Sequence, residues 1–206
     1  MNNKRRNFLK NFALGAGALA IDLPALAISD EEMIRSALAQ NRIANFNMSG
    51  YAAPKLDKVR IAFIGVGNRG SGAVNRMSRI KEVEIVAICD HRAERVALAQ
   101  QTLEKAGLPK AKEYTSEEGW KQLCQSNDID LVYICTPWSM HTPMAVYAMN
   151  NGKHAATEVP AAVTLDECWQ LVETSEKTKE HCMMLENCCY DFFEIMTLNM
   201  AQQGVF

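Results

Sequence analysis

Apolar runs alternate with helix-like stretches between residues 59 and 187. The predicted strands cover residues 59–64, 83–89, 131–135, 154–157 and 183–185. The predicted helices cover residues 71–79, 93–105, 117–125, 143–151 and 165–179. The longer strands are almost continuously apolar, which is typical of a parallel sheet that helices cover on both faces. The pattern therefore predicts an α/β fold with a doubly wound parallel sheet.

The segments on either side of this pattern have a different character. Residues 28–58 contain a capping-box sequence at 29–32, which predicts a short helix, and then a polar, irregular linker. A further helix is predicted from Tyr190 to Gln203. We therefore divide the chain into residues 1–27, a helix and linker at 28–58, a sheet domain at 59–187, and the start of another domain at 188–206.

A glycine motif joins the first predicted strand to the first predicted helix. Gly65, Gly67 and Gly70 form a GxGxxG sequence in the strand-to-helix context that gives this motif its meaning. The first glycine permits a tight turn, the second lets the backbone approach a pyrophosphate, and the third lets the helix pack on the strand. N–H groups at the start of the helix then face the phosphates. The motif predicts a Rossmann domain that binds a dinucleotide.

Asp90 ends the second predicted strand, 20 residues after Gly70. A carboxylate at this place accepts hydrogen bonds from the ribose hydroxyls and repels a 2′-phosphate, so NAD is favoured over NADP. Arg92 follows closely, and an arginine here can neutralise a 2′-phosphate, which weakens that preference.

Polar side chains also follow the later strands. Trp138 and His141 lie in the loop after the third strand, Glu158 follows the fourth, and Asn187 follows the fifth. Ligands of open parallel sheets bind beyond the carboxyl ends of the strands, so we expect these side chains to share one site. Glu158 and His141 are the catalytic candidates. Packing residues and ordinary strand-end polar groups are the competing interpretation of each.

Composition excludes several classes of protein. The 206 residues are 48% apolar and 22% charged, with a net charge of -2, which is ordinary for a folded domain and unlike disordered, collagen-like or coiled-coil chains. A net charge near zero gives no electrostatic reason to expect nucleic acid or an anionic membrane as partner. No apolar run approaches the roughly 18–20 residues that span a bilayer, so no stable membrane span is predicted.

The overall charge hides an asymmetry at the amino terminus. Residues 1–27 hold four basic and one acidic side chain, a net +3, so the rest of the chain carries -5. The Arg5-Arg6 pair, a short apolar stretch over 13–20 and small residues up to Ala27 are typical of a twin-arginine signal peptide. We expect export to the periplasm through the twin-arginine machinery, with cleavage after Ala27. A basic tail that leads into an ordinary helix is the alternative.

Seven cysteines are present, an odd number with neither a CxxC pair nor a zinc-type spacing, so no metal site is predicted. Exported proteins often carry disulfides. Cys89 and Cys135, however, end apolar strands, and Cys188 and Cys189 are sequence neighbours. We interpret the cysteines as buried thiols that pack as small hydrophobic side chains.

The chain resembles the superfamily of glucose-fructose oxidoreductase, inositol dehydrogenase and MocA (Gfo/Idh/MocA) in an ordered set of motifs. These are the glycine motif at 65–70, Asp90, Thr136-Pro137 with His141, and Glu158-Val159-Pro160. In that group a Rossmann domain holds NAD(P) and a second α/β domain binds the substrate. The usual oxidoreductases have a lysine at the place of Val159, where it binds a sugar hydroxyl and assists proton transfer. Valine can do neither, which argues against a plain sugar dehydrogenase mechanism.

Within that superfamily the chain is similar to glycoside hydrolase family 109, an α-N-acetylgalactosaminidase family. The similarity lies in residues 158–163, 166–169 and 181–190 and in the arginine pair of the signal, and overall it covers 1–20 and 59–206. It implies NAD as cofactor and a glycan with terminal α-N-acetylgalactosamine as substrate. The NAD contacts that it implies are Asn68, Arg69, Asp90, Trp138, Ser139, Met140, His141, Glu158, Val159 and Asn187.

The resemblance also implies a mechanism that uses NAD without consuming it. The sugar is oxidised at C3, a base removes the acidified C2 proton, the glycosidic oxygen leaves C1, water adds, and the hydride returns. This chemistry needs no pair of carboxylates flanking the glycosidic bond, and the sequence offers no convincing pair. Folded export suits such a protein, because NAD is acquired in the cytoplasm and recycled within the enzyme.

The resemblance covers only the amino-terminal part of the family. Its members continue past the helix at 190–203 into the substrate domain, so we expect that domain to be truncated here and the fragment to bind NAD without turnover. Two other functions remain open, an NAD-dependent sugar or cyclitol oxidoreductase and a non-catalytic NAD-binding module. The sequence leaves the glycan preference and the oligomeric state open, a homo-oligomer included.

Overall fold

The structure, a computed structural model, describes residues 46–205. The predicted signal peptide at 1–27 and the predicted helix that begins near residue 29 lie outside these residues. The strands are β1 (Val59–Ile64), β2 (Val83–Cys89), β3 (Lys112–Tyr114), β4 (Leu131–Ile134), β5 (His154–Thr157) and β6 (Cys182–Met184). The helices are α1 (Asn68–Met77), α2 (Ala93–Lys105), α3 (Gly119–Cys124), α4 (His141–Asn150), α5 (Leu165–Thr178) and α6 (Phe192–Gln202). Short 3-10 turns occur at Trp138–Met140 and Cys188–Tyr190.

The six strands form one parallel sheet in the order β3-β2-β1-β4-β5-β6. This is the strand order of a Rossmann fold, in which successive strands are added towards one edge of the sheet from β1 to β3 and towards the other edge from β4 to β6. The loops that leave the carboxyl ends of β1 and β4 diverge at that point and open a crevice. The sheet order therefore fixes where the candidate site residues meet.

Both faces of the sheet are covered. On one face α1 and α2 bury an apolar cluster that includes Phe63, Val74, Ile88, Val96 and Leu103. On the other face α3, α4 and α5 bury a cluster that includes Ile64, Leu123, Val132, Met149 and Leu171. Strands buried on both faces need apolar residues at nearly every position, which explains why the strand runs do not alternate. The doubly wound Rossmann fold predicted from the sequence is confirmed.

The structure differs locally from the sequence prediction at β3 and at the start of α1. Strand β3 was not predicted, because Lys112, Glu113 and Tyr114 form a short, mostly polar run with one buried side chain. Helix α1 begins at Asn68 rather than residue 71, so Gly70 lies inside its first turn although glycine is a poor helix former.

The predicted linker is irregular, and part of it packs against the sheet. The ring of Tyr51 lies 5.4 Å from that of His181, and the backbone N–H of Ala53 donates to Nε2 of His181 at 3.3 Å. Phe46 contacts Tyr51 edge-to-face at 5.5 Å. These contacts hold residues 46–53 beside the start of β6, the last strand of the sheet.

Helix α6 differs from the other helices because its apolar side chains are exposed. Phe192 is 72% exposed and Phe193 70%, and Leu198 is also exposed. The helix starts two residues later than the sequence predicted, after the 3-10 turn that contains Tyr190. The assignment of residues 188–206 to a second domain stays a prediction. Among the described residues no helix has the length and apolar character that crossing a bilayer requires.

The seven cysteines are free thiols in three environments. Cys89 and Cys124 are buried, and Cys135 and Cys182 are half-buried. The remaining three, Cys168, Cys188 and Cys189, are exposed, so the interpretation of all the cysteines as buried packing groups is wrong for them. Two of these, Cys188 and Cys189, lie in the 3-10 turn that follows β6.

Candidate functional site

The turn after β1 is shaped by glycines that have no room for a side chain. Gly65 has a positive φ of 83°, and a Cβ added there would lie 2.8 Å from the carbonyl oxygen of Cys135. A Cβ on Gly70 would overlap the carbonyl oxygen of Gly65 and lie 3.3 Å from the Cβ of Cys135. The turn therefore brings the start of α1 directly against the ends of β1 and β4, as the motif predicted.

Gly67 differs from its two neighbours in the motif because it faces open space. A Cβ added to it would have only the Arg92 guanidinium nearby, at 3.8 Å. Helix α1 begins at the next residue, carries no acidic residue in its first turn, and has no side-chain cap. Its first N–H groups and the positive end of its dipole are therefore available to a ligand.

Asp90 connects the ends of β1 and β2. Its carboxylate accepts one hydrogen bond from the backbone N–H of Val66 and one from that of Arg92, each at 3.0 Å. The residue is buried. Asp90 thus holds the glycine turn in shape, a role that the sequence interpretation did not assign, and its predicted contact with a ribose stays a prediction.

The loop after β4 presents one exposed and one buried ring. Trp138 is 63% exposed in its 3-10 turn, as a residue available to pack on a ligand would be. His141 is only 1% exposed, and its ring nitrogens lie 2.7 Å from the carbonyl oxygen of Pro160 and 2.8 Å from that of Thr136. His141 therefore ties the loops after β4 and β5 together. Its predicted contact with cofactor or substrate stays a prediction.

A buried carboxylate lies at the centre of the site. Glu158 is 6% exposed. Its Oε2 accepts a hydrogen bond from Nε of Arg69 at 2.7 Å, and its Oε1 accepts one from the Tyr133 hydroxyl at 3.0 Å. Arg69 also donates from Nη2 to Oδ1 of Asn187 at 2.9 Å. One connected network therefore joins the start of α1, strand β4 and the loops after β5 and β6.

Burial and charge set the protonation of this network. The hydrogen bond to Glu158 raises the pKa of Arg69. Burial, and then the negative charge of Glu158, raise the pKa of Tyr133 to about 12. Both groups therefore keep their protons at neutral pH and remain donors to the carboxylate.

Two clefts open beside the network. One, of about 240 Å³, is lined by Arg69, Thr136, Trp138, His141, Glu158 and Val159, among others. The second, of about 360 Å³, is lined by Arg69, Arg76, Tyr133, Met183, Leu185 and Tyr190, among others. Glu158, Arg69 and Asn187 line both clefts. The predicted residues around Trp138, Glu158 and Asn187 are thus brought together at one edge of the sheet.

The residues present fit a dinucleotide. Gly67 leaves room for close backbone approach, the free end of α1 favours phosphate, and Asp90 lies at the end of the neighbouring strand. Trp138 and the first cleft lie beyond β4, on the other side of the switch point. Among residues 46–205 there is no group of three His, Cys, Asp or Glu side chains that could hold a metal ion.

The sequence interpretation missed Tyr133. It was counted as an apolar position of the third predicted strand, and only its place next to β5 in the sheet brings its hydroxyl to Glu158. Strand β6, which precedes Asn187, lies one residue earlier than predicted.

A family model for oxidoreductases with an NAD-binding Rossmann fold, Gfo/Idh/MocA, matches residues 59–186. The chain is 62% identical over 158 residues to glycosyl hydrolase family 109 protein 1 of Bacteroides fragilis, a match that covers 76% of this chain and 34% of that protein. It is 59% identical over 157 residues to an alpha-N-acetylgalactosaminidase of Bacteroides fragilis, covering 76% of this chain and 37% of the relative. The chain therefore spans about a third of the length of the curated relatives it matches.

Solved structures show the same fold at lower sequence identity. The myo-inositol 2-dehydrogenase of Lactobacillus plantarum superposes with a TM-score of 0.61 at 21% identity, over 71% of this chain and 42% of that chain. The WlbA dehydrogenase of Bordetella pertussis, solved with NADH and UDP-GlcNAcA, gives a TM-score of 0.61 at 20% identity over the same shares. The predicted resemblance, both to the superfamily and to family 109, is confirmed.

Proposed function

Because the chain belongs to the Gfo/Idh/MocA oxidoreductase family with its NAD-binding Rossmann fold, we propose that it is the NAD-binding part of an α-N-acetylgalactosaminidase. The observation that carries the proposal is the end of β5, where the fixed carboxylate of Glu158 is followed by the exposed, apolar Val159. No lysine stands there to transfer a proton in a plain dehydrogenation. The names of the relatives at 59–62% identity support the same activity.

In the proposed reaction the sugar is oxidised at C3, loses its C2 proton, eliminates the glycosidic oxygen from C1, adds water, and is reduced again. NAD, when bound, supplies the acceptor and donor of hydride, so that the cycle consumes only water besides the glycoside and needs no external oxidant or reductant. This route makes hydrolysis independent of two carboxylates flanking the bond.

Individual residues of the chain would bind and orient the cofactor in this scheme. Gly65, Gly67 and the start of α1 would hold the pyrophosphate, and Asp90 would accept hydrogen bonds from the adenosine ribose. Trp138, in the exposed loop after β4, would pack on the cofactor. Glu158 presents a fixed negative charge in the cleft that the sugar would enter.

The glycosidase proposal is tested with an aryl α-N-acetylgalactosaminide in heavy water and without added NAD. Since the chain spans about a third of its relatives' length, the assay compares the chain alone with a chimera in which the rest of the Bacteroides fragilis alpha-N-acetylgalactosaminidase follows it. We expect the chimera to release the aglycone and to place deuterium at C2 of the sugar. We expect the chain alone to bind NAD without turnover.

Two outcomes of this assay contradict the proposal. Stoichiometric NADH without aglycone release would indicate a sugar oxidoreductase. A chimera that binds NAD and leaves the glycoside unchanged would favour a non-catalytic NAD-binding module. NAD binding also serves as the control for folding, because it requires the intact turn between β1 and α1.

Export through the twin-arginine route is a separate part of the proposal. It is supported by the sequence at Arg5 and Arg6, which lie outside the described residues. Replacement of both by lysine should leave the precursor in the cytoplasm with its NAD-binding domain folded. Unchanged delivery of the double variant to the periplasm would contradict this route.

A further inference from the structure

Tyr133 combines a buried apolar ring with a hydroxyl. The ring stacks on Phe63 with centroids 5.1 Å apart and an interplanar angle of 26°. The residue is buried in the cluster that α1 and α2 cover, where a phenylalanine would pack as well. A buried hydroxyl has a cost unless it forms a hydrogen bond, and this one donates to Oε1 of Glu158. The hydroxyl therefore acts on Glu158 rather than on the packing of the core.

Arg69 acts on the other oxygen of the same carboxylate. Its Nε holds Oε2 of Glu158 while its Nη2 holds the side chain of Asn187. A guanidinium donates from a rigid plane, so the direction of the first bond fixes that of the second. With both oxygens occupied, the Glu158 carboxylate cannot rotate without breaking one of these bonds.

We propose that Tyr133 is a positioning residue for the cofactor, which acts through Glu158. Its hydroxyl fixes the carboxylate, the carboxylate fixes Arg69, and Arg69 fixes Asn187. Glu158, Arg69 and Asn187 line both clefts of the site, so in this proposal their fixed arrangement forms the surface that contacts NAD. The inference rests on the NAD-binding part of the proposed function and is independent of hydrolysis.

A double-mutant cycle on NAD affinity tests this chain of contacts. The four proteins are the unchanged chain, Tyr133→Phe, Glu158→Ala, which removes the acceptor of the tyrosine hydroxyl, and the double variant, with the dissociation constant of NAD measured by calorimetry. We expect Tyr133→Phe to weaken binding about three- to tenfold, in line with the loss of one ordinary hydrogen bond. We expect the double variant to bind no more weakly than Glu158→Ala, because the Tyr133 hydroxyl donates to Glu158 and acts through that carboxylate. Tyr133 also lines the second cleft, and a direct contact with NAD would instead make the two effects multiply.

A matched control shows whether the effect is specific to the Tyr133 hydroxyl or follows from the loss of any tyrosine hydroxyl. The hydroxyl of Tyr147 on α4 accepts a hydrogen bond from Gln125 at 2.7 Å, and neither residue lines the clefts. Tyr147→Phe should therefore leave NAD affinity unchanged. A second variant, Arg69→Lys, keeps a cation near Glu158 without the fork that reaches Asn187, and it should also weaken NAD binding.

The inference is overturned by either of two results. One is an unchanged NAD affinity in Tyr133→Phe. The other is full additivity in the cycle, in which the double variant binds more weakly by the product of the two single effects. If the unchanged chain binds no NAD at all, the proposed function itself fails, and the two failures are thus distinguishable. Urea unfolding of each variant shows whether the folded state is retained.

Discussion

The glycine turn and the Glu158 network border the same site, but different interactions hold each of them in shape. The turn requires residues without a side chain, since a Cβ on Gly65 or Gly70 would meet main-chain atoms. In the network it depends on side chains, since Glu158 is held by residues that lie 25 and 89 positions away along the chain. Main-chain atoms in a packed turn cannot move aside, whereas side-chain bonds can be lost one at a time.

Because of this difference, substitutions in the turn and in the network should affect different properties of the protein, the free energy of unfolding in the first case and ligand binding in the second. A substitution that fills the turn must displace a strand or a helix, so it should lower the free energy of unfolding and remove the site with it. A substitution in the network leaves the strands in place, so it should act on the ligand more than on the fold. Variants can therefore be ordered by how far they disturb the backbone.

Gly70→Ala should have the largest effect. The new Cβ would overlap the carbonyl oxygen of Gly65, and we expect a loss of about 3–5 kcal/mol in the free energy of unfolding, or no folded protein. Gly72→Ala is the matched control two residues further along α1, where the new Cβ meets only the flexible end of Arg76. This control should gain about 0.5–1 kcal/mol, because alanine is the better helix former. Urea unfolding measures both, and equal stability of the two variants would contradict the comparison.

The same contrast explains what could be predicted from the sequence. The roles of Gly65 and Gly70 follow from three glycines at fixed spacing beside a strand and a helix, which is local information. The role of Tyr133 depends on the neighbouring positions of β4 and β5, which no local pattern contains. Strand β3 was missed because three mostly polar residues produce no hydrophobic period.

Asp90 has one role that its place in the sequence predicted and a second role that only the structure shows. Its place after β2 predicted a contact with a ligand, and the structure adds two hydrogen bonds that hold the turn, from the N–H groups of Val66 and Arg92. A carboxylate accepts only, so both roles require the same residue type. A residue chosen for its ligand chemistry can therefore also stabilise the backbone that presents it.

Asp90→Ala should have the second-largest effect. It leaves the buried N–H of Val66 without its acceptor, and we expect a loss of about 1–3 kcal/mol in the free energy of unfolding together with weaker NAD binding. The control is His91→Ala, because that exposed ring lies 3.6 Å from the Asp90 carboxylate and makes only a weak contact. It should change stability by less than about 0.5 kcal/mol. Loss of NAD binding in Asp90→Ala with unchanged stability would assign the residue to the ligand alone.

The amino-terminal edge of the sheet offers a side-chain pair far from the clefts. The Asp130 carboxylate accepts from Nε of Arg60 at 3.0 Å, from its Nη2 at 2.6 Å and from its backbone N–H at 2.8 Å. These bonds hold the start of β1 beside β4. Asp130→Asn should lower the free energy of unfolding by about 1–2 kcal/mol at pH 7, a figure reduced for the partial exposure of Arg60. NAD affinity should not change.

The pH dependence of this pair has a defined sign. The hydrogen bond to Arg60 lowers the pKa of Asp130 in the folded protein from its ordinary 3.8. The stability that it contributes is therefore complete above pH 3.8 and is lost as the pH falls through the lower, folded-state pKa. The difference between Asp130→Asn and the unchanged chain should be equal at pH 7 and pH 5 and smaller at pH 3. Asp128→Asn, at an exposed carboxylate 4.0 Å from Arg60, should show little difference at any of these values.

The last prediction involves no loss of stability. The rate at which a thiol is alkylated reports how accessible the cysteines beside the glycine turn and beside the Glu158 network are. Cys135 lies against the glycine turn, and burial raises its pKa to about 12, so very little reactive thiolate is present at pH 8. Cys188 follows the network at Asn187 and is exposed, although Glu186 raises its pKa. Brief alkylation followed by mass spectrometry should modify Cys188 well before Cys135, and Glu186→Gln should speed Cys188 further without changing Cys135. Equal labelling of the two thiols in the native chain would mean that the glycine turn opens as readily as the segment beside the Glu158 network. That result would contradict the view that the turn is rigid and the network adjustable.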